Sequence, residues 1–200
     1  MSSCQGRIQR NDDGETIVVN SPSIALIENY LSGGHIKRMI LVTEDVIGAI
    51  YIKEILRLFA PTVLKNCEVF PMNLGWTEVK DYVAKSQALG IKIFGVLDEN
   101  KHYSASDYVL AFPENTAPEI TFFTDSATKT AIESEFHVSC TQLINSGVDH
   151  HELFAEIAKR KDEEEQYVIN WCIKQHVKNK TKSYFNTIVT QLNDWLTQCE

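Results

Sequence analysis

Apolar positions between residues 37 and 112 follow two rhythms in turn. KRMILVT at 37–43, CEVFP at 67–71, IKIFGVL at 91–97 and YVLAF at 108–112 are short, dense runs of the kind that form buried strands. Between the first two, residues 46–59 place apolar side chains at 49, 52, 56 and 59, flanked by Ile55 and Leu58, which is helical spacing that Pro61 ends. A second helix opens at Gly75, carries Trp76, Val79, Tyr82 and Val83 on one side, and stops at Gly90. The order β-α-β-α-β-β predicts an α/β fold, a three-layer sandwich around a mostly parallel sheet. Upstream, Asn11-Asp12-Asp13-Gly14 before residues 15–19 predicts a hairpin, and an amphipathic stretch at 23–31 closes at Ser32-Gly33-Gly34. Beyond about residue 125 the strand signals fade. Residues 127–146 and 152–171 read as helices, and Phe185, Ile188, Val189, Leu192, Trp195 and Leu196 form a last helical stripe. The expected organisation is a linker with hairpin and short helix at 1–36, an α/β core at 37–125 and a helical C-terminal extension at 126–200.

Composition narrows the class. With 200 residues, 44% hydrophobic and 23% charged, the chain is ordinary for a globular protein. No apolar run approaches the ~18–20 residues of a membrane span, and the N-terminus has no apolar signal region. Cys4, Cys67, Cys140, Cys172 and Cys199 are odd in number and scattered, against a disulfide framework or a cysteine zinc site. The expectation is a soluble, cytoplasmic protein with no membrane association. A net charge of -8 opposes phosphate binding in general. Between Cys172 and Thr190, however, stand Lys174, Lys178, Lys180 and Lys182 with no acid among them, either a solvated helix face or a strip for nucleic-acid phosphates.

Ligands of a parallel sheet gather beyond the carboxyl ends of its strands. Here Glu44-Asp45 ends the first strand and Asp98-Glu99 the third, while Glu119, after Pro113 and Pro118 in an expected non-helical segment, could fold back beside them. Any one of these acids is explained as a helix cap or a solvated strand end. Several on one rim would repel, and a bound cation or a raised pKa resolves that. Oxygen-only ligands suit Mg²⁺ or Mn²⁺. His150 and His151, adjacent and diverging by ~100° on a helix, are expected at the surface. There is no GxSxG, GxGxxG or Walker lysine motif, so nucleophilic hydrolysis and the usual modes of ATP binding are not expected.

MILVTED (39–45), a helix, IKIFGVLDEN (91–100) and VLAFPENTAPEITFF (109–123) together resemble the Toprim (topoisomerase–primase) domain of the overcoming-lysogenization-defect (OLD) family nucleases. Asn73-Leu74-Gly75 resembles the turn ahead of the family's second helix, and RIQRNDDGETIVV (7–19) the segment between ATPase and Toprim domain. The resemblance implies a metal-dependent DNA endonuclease working beside an ABC-type ATPase in phage defence. It matches Glu44 to the glutamate after the first strand, Asp98 to the first aspartate of an Asp-x-Asp pair and Glu119 to the later glutamate. Asp45 stands where the family usually has glycine, and Asn100 where it has the second aspartate, able to ligate through its carbonyl but uncharged. On this reading Glu44 and Asp98 are catalytic, Lys101 steadies the transition state, and Glu44, Asp45, Asp98, Asn100 and Glu119 hold Mg²⁺ or Mn²⁺. Lys174, Lys178, Lys180 and Lys182 would contact DNA. The stripe of the last helix is expected to be exposed, as an interface with a second copy or with the ATPase. The alternatives are a catalytically degenerate Toprim-like scaffold or sensor, and a phospho-acceptor receiver, which lacks its fifth-strand lysine here.

Overall fold

A computed structural model describes residues 6–10, 16–20, 37–98, 105–113 and 116–199. The chain forms two compact units, Met1–Lys37 and Arg38–Glu200. In the first, β1 (Gly6–Arg10) pairs antiparallel with β2 (Thr16–Asn20), Gly6 opposite Asn20 and Arg10 opposite Thr16, the hairpin expected around residues 11–14. The helix expected at 23–31 lies outside the described residues.

The second unit is the predicted α/β sandwich. β3 (Met39–Thr43), β4 (Cys67–Pro71), β5 (Ile93–Leu97) and β6 (Val109–Ala111) form a parallel sheet in the order β4-β3-β5-β6. α1 (Val46–Phe59) and the short α2 (Pro61–Asn66) connect β3 to β4, and α3 (Trp76–Ala88) connects β4 to β5. Successive strand residues point to opposite faces. Val42, Ile93, Leu97 and Val109 meet Val79 and Val83 of α3 on one face. Met39, Leu41, Phe94 and Val96 meet α1 and the C-terminal helices on the other. Trp76 and Tyr82, expected on the inward side of α3, are exposed, so that helix buries a narrower stripe than its pattern suggested. Pro61 ends α1 as expected, yet it also starts α2, because a proline at the first helical position loses no hydrogen bond.

Among the described residues six α-helices follow the sheet: α4 (Pro118–Thr124), α5 (Ser126–Phe136), α6 (Cys140–Asn145), α7 (Leu153–Lys161), α8 (Glu165–Asn179) and α9 (Asn186–Thr197). The two long helices expected here are each divided. His137 and Asp162 adopt left-handed φ of 46° and 55° and close α5 and α7, and Ser139 caps the start of α6. The expected exposure of the last stripe is also corrected. Phe185, Ile188, Val189, Leu192, Trp195 and Leu196 are all buried. α1 lies over β4, β3 and part of β5, and the Trp195 ring stacks on Phe94 of β5 at 4.6 Å. Hydrophobic burial on the sheet claims the stripe, so it offers no surface to a second copy or an ATPase. Among the described residues, no helix is long and apolar enough to cross a membrane.

Candidate metal centre

The chain leaves β3 for β4 on one side, then crosses back over β3 to β5 on the other. Connections therefore depart in opposite directions from two adjacent strand ends, and the crevice between them is where open α/β sheets bind ligands. The register, Ile40 beside Ile93 and Val42 beside Gly95, carries β5 one residue past the end of β3. Glu44 and Asp45 follow one and Asp98 the other. Glu44 Oε1 accepts a hydrogen bond from the Asp98 backbone N–H at 3.0 Å, tying the two ends together. The turn after β4 is held to the same place, with Met72 N–H donating to the Thr43 carbonyl at 2.9 Å and Leu74 N–H to the Glu44 carbonyl at 3.2 Å.

Asp45 caps α1, its Oδ1 accepting from the Gly48 N–H at 2.8 Å. Gly48 matters for its missing side chain. A Cβ there would lie 3.5 Å from Asp45 Oδ1, 3.6 Å from Asp98 Oδ1 and 3.3 Å from Thr43 Cβ. The two carboxylates thus flank one bare patch of helix.

Glu119 arrives from the other side, in the first turn of α4 rather than in the non-helical segment expected; Pro118 begins that helix. Its side chain is wholly buried. Oε1 lies 3.2 Å from His151 Nδ1, while Oε2 is buried with no hydrogen-bond partner. Burial pushes the Glu119 carboxyl above its ordinary value, and the charge of Asp45 adds to the rise against its backbone hydrogen bond and His151. Asp45, Glu119 and His151 each offer one ligand atom, all within 4.8 Å of one another.

His151 is the residue that sequence reasoning missed. His150 and His151 do stand at the surface, on a 3-10 turn whose backbone is pinned by Asp149 Oδ1 accepting the His151 N–H at 3.0 Å. Their rings pack together, centroids 3.8 Å apart, and His151 nonetheless reaches inward to Glu119. The run Asp149-His150-His151-Glu152 was the one available signal.

These residues fit a divalent cation. The donors are mainly hard carboxylate oxygens, one of them buried and unsatisfied, which is what a cation would complete. The structure brings Glu44, Asp45, Asp98 and Glu119 to the rim region, whereas Asn100 and Lys101 lie outside the described residues. The lysines divide. Lys174, Lys178 and Lys182 are exposed, but Lys180 is turned onto Asp125, Nζ to Oδ1 2.5 Å, and lies over the Tyr184 ring. Comparison with known protein families, curated proteins and solved structures finds no match to the chain, so its chemistry is read from its own residues.

Proposed function

We propose that this chain is a divalent-metal-dependent DNA nuclease of Toprim, OLD-like type. The observation that carries the reading is the Glu44–Asp98 hydrogen bond across the switch point of the sheet, with Asp45 and Glu119 converging beside it. A bound Mg²⁺ or Mn²⁺ would neutralise the scissile phosphate and lower the pKa of a water. Asp98, Asp45 and Glu119 would hold the ion, with the Asn100 carbonyl as the further ligand that the resemblance implies. Glu44, anchored through Oε1 and half-buried, would accept the proton of the attacking water. Lys101, next in sequence to this group, would steady the charge that builds on the phosphoryl oxygens, as the resemblance implies. Lys174, Lys178 and Lys182 contact the phosphates of bound DNA. With no ATP-binding motif of its own, the chain would rely on an ABC-type ATPase partner for any nucleotide control in phage defence.

Supercoiled-plasmid cleavage with Mg²⁺, with Mn²⁺ and with chelator, comparing wild type with Asp98→Ala, tests this. The expected result is metal-dependent nicking that Asp98→Ala abolishes. No cleavage by the wild type, or undiminished cleavage by the variant, overturns it. One observation favours a second reading, a degenerate Toprim-like scaffold or sensor: Glu44 ties strand ends together and Asp45 caps α1, structural tasks that need no metal. That reading expects folded, inactive protein with either ion.

A further inference from the structure

We infer that His151 joins Glu119 and Asp45 in a nitrogen-containing cation position that takes Mn²⁺ in preference to Mg²⁺. The inference deepens the proposed metal centre and rests on that reading for the ion's use, though not for its binding.

Three observations converge. The first is spacing. Ligand atoms ~2.1 Å from a common ion lie at most ~4.2 Å apart, and cis pairs sit near ~3.0 Å. His151 Nδ1 and Glu119 Oε1, at 3.2 Å, are already at a cis separation. The full set, within 4.8 Å, needs only small side-chain movements to close on an ion.

The second is Glu119 Oε2. A simple His–Glu pair would satisfy Oε1 and leave Oε2 buried without a partner, with the charge of Asp45 beside it. A cation held by both oxygens of Glu119, with His151 and Asp45, would satisfy Oε2 and remove the repulsion together.

The third is the way the imidazole is held. Asp149 pins the His151 backbone, the His150 ring packs on its ring, and Nδ1 is directed at the buried acid. The His151 side chain is otherwise 60% exposed, so an ion here would keep a face open to water or a phosphate oxygen. Selectivity follows from donor chemistry. Mg²⁺ prefers oxygen and surrenders its waters reluctantly; Mn²⁺ also favours oxygen, but as a first-row transition ion it accepts an imidazole nitrogen beside its carboxylates more readily than Mg²⁺ does. The nitrogen therefore strengthens Mn²⁺ binding and adds little for Mg²⁺.

Calorimetric titration of the full chain with MnCl₂ and with MgCl₂ tests the assignment in wild type, His151→Gln and Glu119→Gln. In His151→Gln the Mn²⁺ affinity should fall about tenfold or more while the Mg²⁺ affinity stays within about twofold. Glu119→Gln should weaken both. Pulsed electron paramagnetic resonance of bound Mn²⁺ should show nitrogen coupling in wild type that His151→Gln removes. Absence of Mn²⁺ binding, equal effects of His151→Gln on the two ions, or no nitrogen coupling overturns the inference and leaves His151 as an ion-pair partner of Glu119. A His151-dependent Mn²⁺ preference without plasmid cleavage supports the ion position and overturns the nuclease reading. Mg²⁺-dependent cleavage with binding indifferent to His151 does the reverse.

Discussion

α4 carries a buried or half-buried carboxylate at each end, and the two are treated in opposite ways. Asp125, closing α4 and capping α5, has every oxygen engaged. Lys180 Nζ donates to Oδ1 at 2.5 Å, and the Thr128 N–H and Oγ1 donate to Oδ2 at 3.1 and 2.7 Å. The Thr128 hydroxyl also meets Nδ1 of the wholly buried His176 at 2.9 Å. Against the desolvation of partial burial, hydrogen bonds from Lys180 and Thr128 hold the Asp125 carboxyl down at about 2. Glu119, opening the same helix, has one side-chain partner, an unsatisfied buried oxygen and a carboxyl pushed upward. A complete set of donors marks a pin that joins α5 and α8 to α4. An incomplete set, with Asp45 beside it, leaves an oxygen for the cation proposed above to satisfy.

The sharpest way to break this contrast is to remove each acid in chelator and measure stability by urea unfolding. Asp125→Ala deletes a helix cap and strands Lys180, and should destabilise by about 2–3 kcal/mol. Glu119→Gln relieves a buried charge and should leave stability unchanged or raise it by about 1 kcal/mol. Added Mn²⁺ should reverse that second sign, because the wild type gains more stability from the ion than the weaker-binding variant does. Equal losses in both variants would mean that Glu119 is as structural as Asp125.

The pH dependence should follow the same division. Asp125 titrates from an ordinary 3.8 down to about 2 in the fold, so on acidification the unfolded chain binds the proton first. Its contribution, about 1–2 kcal/mol after allowance for screening, is present above pH 3.8 and disappears as pH falls toward 2. Glu119, raised above 4.5 and facing Asp45 and His151, keeps its proton longer in the fold. Stability of the metal-free chain should therefore decline as pH rises above 4.5. Urea midpoints across this range should lose the acid-side slope in Asp125→Asn and the other slope in Glu119→Gln.

The smallest effect concerns the lysines. Lys174, Lys178 and Lys182 changed together to Gln should reduce the salt dependence of DNA binding, by about 0.7–0.9 in slope for each phosphate no longer neutralised, without affecting stability. Lys180 is kept out of that set because removing it would release Asp125. An unchanged slope would return all three to a solvated helix face.

The alternation of strands and helices, the hairpin and the acids at two strand ends were legible in the sequence, because side-chain periodicity, capping and turn chemistry act over a few residues. That is why α1 runs from Val46 to Phe59 as its apolar spacing indicates, and why Glu44 and Asp98 stand out. What those residues do to one another was decided only in three dimensions. The strand order β4-β3-β5-β6 makes neighbours of the ends carrying Glu44 and Asp98. Packing against the sheet, with Trp195 on Phe94, turned an apparent interface stripe into core. Asp125 drew Lys180 from its strip, 55 residues away in sequence, and Glu119 met His151 across 32 residues. Local sequence sets the propensity of each element, but partners this distant are chosen by packing, which rewards burial and the satisfaction of every buried polar atom wherever in the chain the partner lies.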